Sequence, residues 1–317
     1  MSLLFVIDAP HALFRSCYAN GELEYERRGE VHKTGGVYGF LKMVRAAHRD
    51  LSGPAMVVAA WEDPQRNIRS FRRSLYPTYK QKSTAEDEID YGRIELSQFV
   101  REQQKLMAPL LTAIGIPQAF AQCWEADDVL ATLCHGLPDH EVIVFSGDKD
   151  MMTLVSDRVT VMRPLKEGYE LVTPALWTSG HMKLGGCEWK TGHLVSPEQW
   201  PQVLALAGDD SDNIPGVLGV GFKTAEKLLR EHGDLEGVIR AAAAGQVKRF
   251  GEAITAMADQ LRLNLKLTTL NGQVDLCWTP PKKDEQEVER RFREMKFASF
   301  TSYVDRQSIM DMGTDAW

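Results

Sequence analysis

Three short apolar runs, Leu3–Ile7, Ala55–Trp61 and Val142–Phe145, alternate with stretches of helical spacing, and each run ends in acid. Strands alternating with helices predict an α/β fold, with a mostly parallel central sheet flanked by helices. At 317 residues, 44% hydrophobic and 26% charged, the chain has room for two domains or one large domain with an attachment. That balance excludes disorder over most of its length.

Leu3–Ile7 reads as a buried strand that stops at Asp8. No Lys or Arg precedes it, which argues against a signal peptide. Gly36–His48 carries Val37, Phe40, Leu41 and Val44 on one helical face. Ala55–Trp61 is the second strand and runs into Glu62-Asp63. Ile94–Ile114 reads as a long helix, with Leu96, Phe99, Val100, Leu106 and Leu110 at helical spacing. Glu125–Leu133 is a further helix, and Val142–Phe145 the third strand, ending at Gly147-Asp148. The uncharged stretch Leu106–Trp124 is broken by Pro109, Gly115 and Pro117, so it does not read as a membrane span. Tyr169–Val195 has weak periodicity and reads as a loop insertion. His181, Cys187 and His193 within it match no usual zinc spacing. Helices resume at Gln199–Ala207 and Lys223–Glu231. The charge-alternating Glu285–Lys296 reads as an exposed helix packed on the outside. Five scattered cysteines, never spaced C-x-x-C, fit reduced thiols and a cytoplasmic setting.

Parallel strands deliver their carboxyl ends to one sheet edge, where open α/β folds place their sites. Asp8, Asp63 (or Glu62), Asp148 and Asp150 are therefore expected to converge. Glu125-Ala126-Asp127-Asp128 sets three carboxylates at a helix start. A like-charge pair at ~4 Å and an effective dielectric of ~20 costs up to about 4 kcal/mol. The helix N-terminus offsets only about 0.3–1 kcal/mol per charge, whereas a divalent cation resolves the repulsion directly. Gly208-Asp209-Asp210-Ser211-Asp212 adds a further acidic cluster and runs into Gly216-Val217-Leu218-Gly219-Val220-Gly221-Phe222-Lys223-Thr224. Glycines there allow close backbone approach, and the following helix offers free N–H groups to an anion. This segment resembles a helix-hairpin-helix, which grips a phosphate backbone without reading sequence. The net charge of −7 argues mildly against a nucleic-acid partner, but residues 64–85 hold Arg66, Arg69, Arg72, Arg73, Lys80 and Lys82 and no acid. Phe71, Tyr76 and Tyr79 lie among those cations, a mixture suited to a nucleic-acid backbone.

Taken together, FVIDAPHALFRSCYA, TGGVYGFLK, FRRSLYPTYKQK, CWEADDVLATL, VIVFSGDKDMMTLV and LALAGDDSDNIPGVLGVGFKTAEKLL resemble the 5′-nuclease (flap endonuclease) family over residues 5 to about 230. That family includes the N-terminal domain of bacterial DNA polymerase I and stand-alone phage exonucleases. The resemblance implies a PIN-like core over residues 1–195 with a helical arch at about 64–110, a helix-hairpin-helix subdomain at 196–270 and a C-terminal helical extension at 271–317. It implies a two-metal nuclease with both 5′-3′ exonuclease and flap endonuclease activity, acting on DNA with 5′ flaps or free 5′ ends. Mg²⁺ is the expected ion, with Mn²⁺ as a substitute and K⁺ at the hairpin. The implied metal ligands are Asp8, Asp63, Glu125, Asp127, Asp128, Asp148, Asp150, Asp209 and Asp212. Lys80 and Arg72 are expected over the cleft against the scissile phosphate, and Arg15, Arg73, Tyr79, Lys82, Gly219, Gly221, Lys223 and Thr224 on the DNA. The family usually carries Phe-Asp where Trp61-Glu62-Asp63 stands here, so either acid fits the role, Asp63 being preferred. With no polymerase portion in the sequence, the likeness is to a free-standing monomeric nuclease of a bacterial or phage cytoplasm, associated with the nucleoid. A junction-binding protein that does not cut, and a phosphohydrolase of small esters, are the competing readings. The first should lack part of the acid set, and the second has no use for the basic stretch or the hairpin.

Overall fold

The computed structural model describes residues 2–21, 23–27, 29–63, 70–81, 91–300 and 302–314. Its strands are β1 (Ser2–Asp8), β2 (Glu24–Arg27), β3 (Glu30–Lys33), β4 (Ala55–Ala60), β5 (Gln118–Phe120), β6 (His140–Phe145), β7 (Val159–Pro164), β8 (Tyr169–Val172), β9 (Met182–Leu184), β10 (Cys187–Trp189) and β11 (Cys277–Thr279). Seven of them form one sheet in the order β11-β5-β4-β1-β6-β7-β8, while β2-β3 and β9-β10 are separate hairpins. The inner pairings are parallel, and both edge strands, β8 and β11, run antiparallel to their neighbours. The sheet is thus mixed but mostly parallel, as the alternation of elements implied.

The helices are α1 (Ala9–Asn20), α2 (Gly35–Arg49), α3 (Phe71–Leu75), α4 (Tyr91–Ile114), α5 (Ala126–Gly136), α6 (Pro174–Ser179), α7 (Trp200–Ala207), α8 (Phe222–His232), α9 (Leu235–Ala243), α10 (Gly251–Ala256), α11 (Ala258–Thr268), α12 (Glu285–Glu294) and α13 (Tyr303–Met310). Alternate residues of β1 serve opposite cores. Leu4 and Val6 face one that includes α5 and α7–α11, and Phe5 and Ile7 face one that includes α1, α2, α4 and α12. This two-sided burial explains why the strand reads as an unbroken apolar run rather than an alternating one. Each such Val, Ile, Leu or Phe contributes about 1.5–3 kcal/mol of apolar burial.

Two expectations change, and one helix is new. Tyr169–Val195 is ordered: it holds β8, α6 and the β9-β10 hairpin, and Trp177 and Trp189 are buried. Its anchoring aromatics follow no period, so neither helical nor strand spacing betrays them. The helix at Glu285–Lys296 does more than coat the surface, because Val288 and Phe292 enter the core with Phe297 and Phe300. Finally, α1 was not anticipated; it starts with Asp8 as its N-cap, accepting from His11 N, and Pro10 in its first turn. Among the described residues, no helix is long and apolar enough to cross a membrane.

Candidate active site

The parallel register brings the first acids together. Asp8 lies level with Ala60 on β4, and Ile7 with Phe145 on β6, so Asp8 meets the residue after β6. There Ser146 Oγ donates to Asp8 Oδ2 at 2.5 Å, and His11 N donates to Asp8 Oδ1 at 3.1 Å. Ser146 Oγ also accepts from Asp148 N (3.1 Å), and Asp148 Oδ1 from Asp150 N (3.0 Å), which fixes the turn carrying both acids. A cleft of about 370 Å³ opens here; Asp8, Glu62, Glu125, Asp127 and Asp148 line it beside Lys80. Pro10, His11 and Phe14 of α1 form one wall and Val100, Arg101 and Gln104 of α4 another.

A second acidic group adjoins the first. One carboxylate oxygen from each of Asp150, Asp209 and Asp212 falls within 4.8 Å of the others. The loop bearing Asp209 and Asp212 is closed by a bridge from Asp209 to Ile214. It is held against α7 at Gly216, where any Cβ would stand 2.1 Å from Ala207 O. Gly219, in the turn that leads to α8, holds a φ of +79°, a backbone conformation that other residues rarely adopt.

Lys80 and Tyr79 knit the two groups together, and Lys149 binds within the second. Lys80 Nζ lies 3.0 Å from Glu125 Oε2 and 3.8 Å from Asp212 Oδ2. Tyr79 OH donates to Glu125 Oε2 (3.1 Å) and Asp212 Oδ2 (2.8 Å). Lys149 Nζ reaches Asp209 Oδ2 at 2.6 Å and Asp150 Oδ1 at 3.7 Å. Burial would raise the Glu125 and Asp209 carboxyls, but Lys80 with Arg72, and Lys149, hold them below their ordinary values. Burial prevails elsewhere. With Asp148 nearby it pushes Asp127 well above the usual carboxylate range and Asp150 up to about 8; Asp8 and Asp212 are also raised.

Arg72 and Asp128 depart from the expected placement. Asp128 is fully buried and takes Arg72 in a bidentate pair, Nη1–Oδ2 2.6 Å and Nη2–Oδ1 3.0 Å. Its oxygens also accept from Glu125 N (3.3 Å) and Asn271 N (2.8 Å), and Arg72 Nε donates to Leu267 O at 2.7 Å. With its lone pairs engaged beneath the cleft, Asp128 does not face a metal position. Arg72, on α3, does not line the cleft; it clamps α5 to α11, with Nη1 also 3.5 Å from Glu125 Oε2. Asp63 is also turned aside: its Oδ2 accepts from Cys123 N at 3.2 Å, steadying a residue held at φ 67°. Glu62, not Asp63, lines the cleft.

The remaining expected contacts are dispersed. Arg15 donates to Leu165 O on the β7–β8 turn. Arg73 and Lys223 are exposed, as are Gly219 and Gly221, and Thr224 is half-buried in the first turn of α8. Lys82, and with it Arg66, Arg69 and part of the 64–110 arch, lies outside the described residues. Lys149, Ser146 and His11 were not singled out from the sequence. Only the position of Lys149 between Asp148 and Asp150 hinted at a part for it.

The donor set suits a hard divalent cation. It is composed of carboxylate oxygens, and Asp150 Oδ1 is buried without a hydrogen-bond partner among the described residues. Residues 3–179 match the 5′-3′ exonuclease N-terminal, resolvase-like domain, and residues 195–291 the 5′-3′ exonuclease C-terminal domain of SAM fold. DNA polymerase I of Mycobacterium tuberculosis is 32% identical over 303 residues, 93% of this chain and 30% of that protein. The chain therefore spans a little under a third of the length of the curated relatives it matches. The 5′-exonuclease of bacteriophage T5, solved with zinc ions bound, shares the fold at a TM-score of 0.63 and 18% identity, over 97% of both chains. The T5 flap endonuclease, solved as a pseudo-enzyme-product complex with DNA and metal ions, aligns at a TM-score of 0.58 and 18% identity over 98% of this chain and 99% of that one.

Proposed function

The chain belongs to the 5′-3′ exonuclease family of nucleases, and from that premise we propose that it is a structure-specific 5′-nuclease, hydrolysing phosphodiesters of DNA with 5′ flaps or free 5′ ends by a two-metal-ion route. One observation carries the reading: five carboxylates lining the cleft and a neighbouring group of three are joined by Lys80. Asp8, Glu62, Glu125, Asp127 and Asp148 would hold one ion, and Asp150, Asp209 and Asp212 the other. Mg²⁺ fits these donors, with Mn²⁺ as a substitute. When bound, paired ions of this kind activate a water and stabilise the leaving oxygen of an in-line displacement.

The side chains themselves have three tasks. Ser146 and His11 N fix the Asp8 carboxylate, and the Asp148–Asp150 turn fixes its own pair, so the acids are aimed before any ligand arrives. Lys80 Nζ, between the two groups, supplies positive charge where the transition state gains negative charge. Tyr79 holds Glu125 and Asp212 apart at a fixed span. The exposed α8 N-terminus, with Lys223 and Thr224 behind the Gly219 turn, would grip the duplex backbone. K⁺ belongs to the same proposal, at the glycine-rich turn whose backbone offers neutral carbonyl donors.

The test is cleavage of a 5′-labelled 5′-flap duplex and its 3′-flap counterpart, each with Mg²⁺ and with EDTA. Products from the 5′ substrate alone, and only with metal, are expected. Tight binding without cleavage would instead make this a junction-binding protein.

A further inference from the structure

Segment 180–194 lies between the two regions matched by the exonuclease domains and belongs to neither. It is nevertheless tied into the protein by a buried network. Glu226 of α8, 1% exposed, accepts from His193 Nδ1 at 2.5 Å, Trp189 Nε1 at 3.1 Å and Leu194 N at 3.3 Å. All three donors come from this segment or its immediate end. The His193 ring lies between the indoles of Trp177 (3.7 Å, 8°) and Trp189 (4.3 Å, 28°), and Trp200 abuts both indoles edge-on. The hairpin turn is seated as closely: a Cβ on Gly185 would stand 2.6 Å from the Phe222 ring.

On the exposed side of this assembly, Lys223 Nζ lies 5.9 Å from the centroid of the same Trp189 ring. One indole therefore meets α8 at three residues: through its Nε1–H to Glu226, and through its ring to Phe222, stacked at 6.5 Å, and to Lys223. We infer that Trp189 is a positioning residue for Lys223, and that the β9-β10 hairpin holds this lysine against the phosphate backbone of a bound duplex. The inference rests on the proposal that the start of α8 grips DNA. A lysine stem is otherwise free to sample many rotamers, and a ring beneath its ammonium restricts them while leaving its N–H donors outward. Trp189 touches no substrate in this account; it acts through Lys223.

A double-mutant cycle on the full chain tests it, with a 5′-flap duplex as probe. Binding is read in EDTA between 50 and 200 mM salt, and cleavage in Mg²⁺. Lys223→Ala should weaken binding and lower the slope of log affinity against log salt by about one. Trp189→Leu should raise Kd and KM about threefold to tenfold with kcat unchanged and reproduce that smaller slope. Trp189→Phe, which keeps a ring of weaker π face, should lose only about twofold. Neither substitution should cost anything further once Lys223 is Ala. If Trp189→Leu does not fold, Trp189→Phe with Lys223→Ala completes the same cycle. Losses that multiply, or Trp189 variants that bind as the wild type while Lys223→Ala is impaired, overturn the inference and leave the nuclease proposal standing. A Lys223→Ala variant with unaltered affinity removes the gripping role of α8, and this inference with it.

Discussion

Asp127 and Asp128 are neighbours in sequence with opposite duties. Asp127 lines the cleft, whereas Asp128 neutralises Arg72 in the interior. Removing one partner of a buried pair leaves the other charged and unsolvated. Asp128→Asn should therefore cost about 3–5 kcal/mol in urea unfolding. Asp148→Asn relieves repulsion among the cleft acids, so its stability should equal or exceed that of the wild type while cleavage is lost. Equal stabilities for the two variants would contradict this division. Lys80→Ala should slow cleavage by roughly a hundredfold or more, the scale of losing one transition-state donor, with DNA affinity in EDTA changed far less. A near-normal rate would remove Lys80 from the chemistry.

Elements differ in how plainly their sequence announces them. β1, β4 and β6 are apolar runs closed by acid, and their convergence followed from parallel pairing alone. The choice between Glu62 and Asp63 did not, because it turns on which carboxylate Cys123 N captures, a contact across 60 residues. The inward turn of Arg72 and Asp128 was hidden in the same way: their partners Leu267 and Asn271 are remote in sequence. Charge alternation in α12 suggested a surface helix, yet two apolar residues four apart, Val288 and Phe292, suffice to dock it. Phe292→Ala should cost about 3–5 kcal/mol, measured by thermal or urea unfolding. A loss under about 1 kcal/mol would return α12 to the role of a surface coating.

Across the whole molecule, the cleft acids make the protein work against its own charge. Asp8, Asp127 and Asp150 have folded-state values raised above those of the unfolded chain, Asp150 to about 8. Such groups bind more protons folded than unfolded, so their contribution is present at low pH and is lost as pH climbs from about 4 to about 8. The lowered Glu125 and Asp209 act oppositely, but their window lies below the ordinary carboxylate range and is closed by about pH 5. Metal-stripped protein should accordingly show a falling Tm between pH 5.5 and 8.5, and Mg²⁺ should raise Tm more at pH 8.5 than at 5.5. A Mg²⁺ effect independent of pH would mean that these carboxyls do not hold the ion.

β11 closes the sheet edge at β5, and Leu267, Thr269 and Asn271 lock the Arg72–Asp128 pair beneath the start of α5. Both events wait for residues made long after the acids they secure. At roughly 5–20 residues per second, the ribosome needs about 8–30 s to pass from β5 to β11. A nascent chain thus carries Arg72 and Asp128 well before it owns the residues that lock them. The start of α5 is therefore locked only once the chain has been made through Asn271.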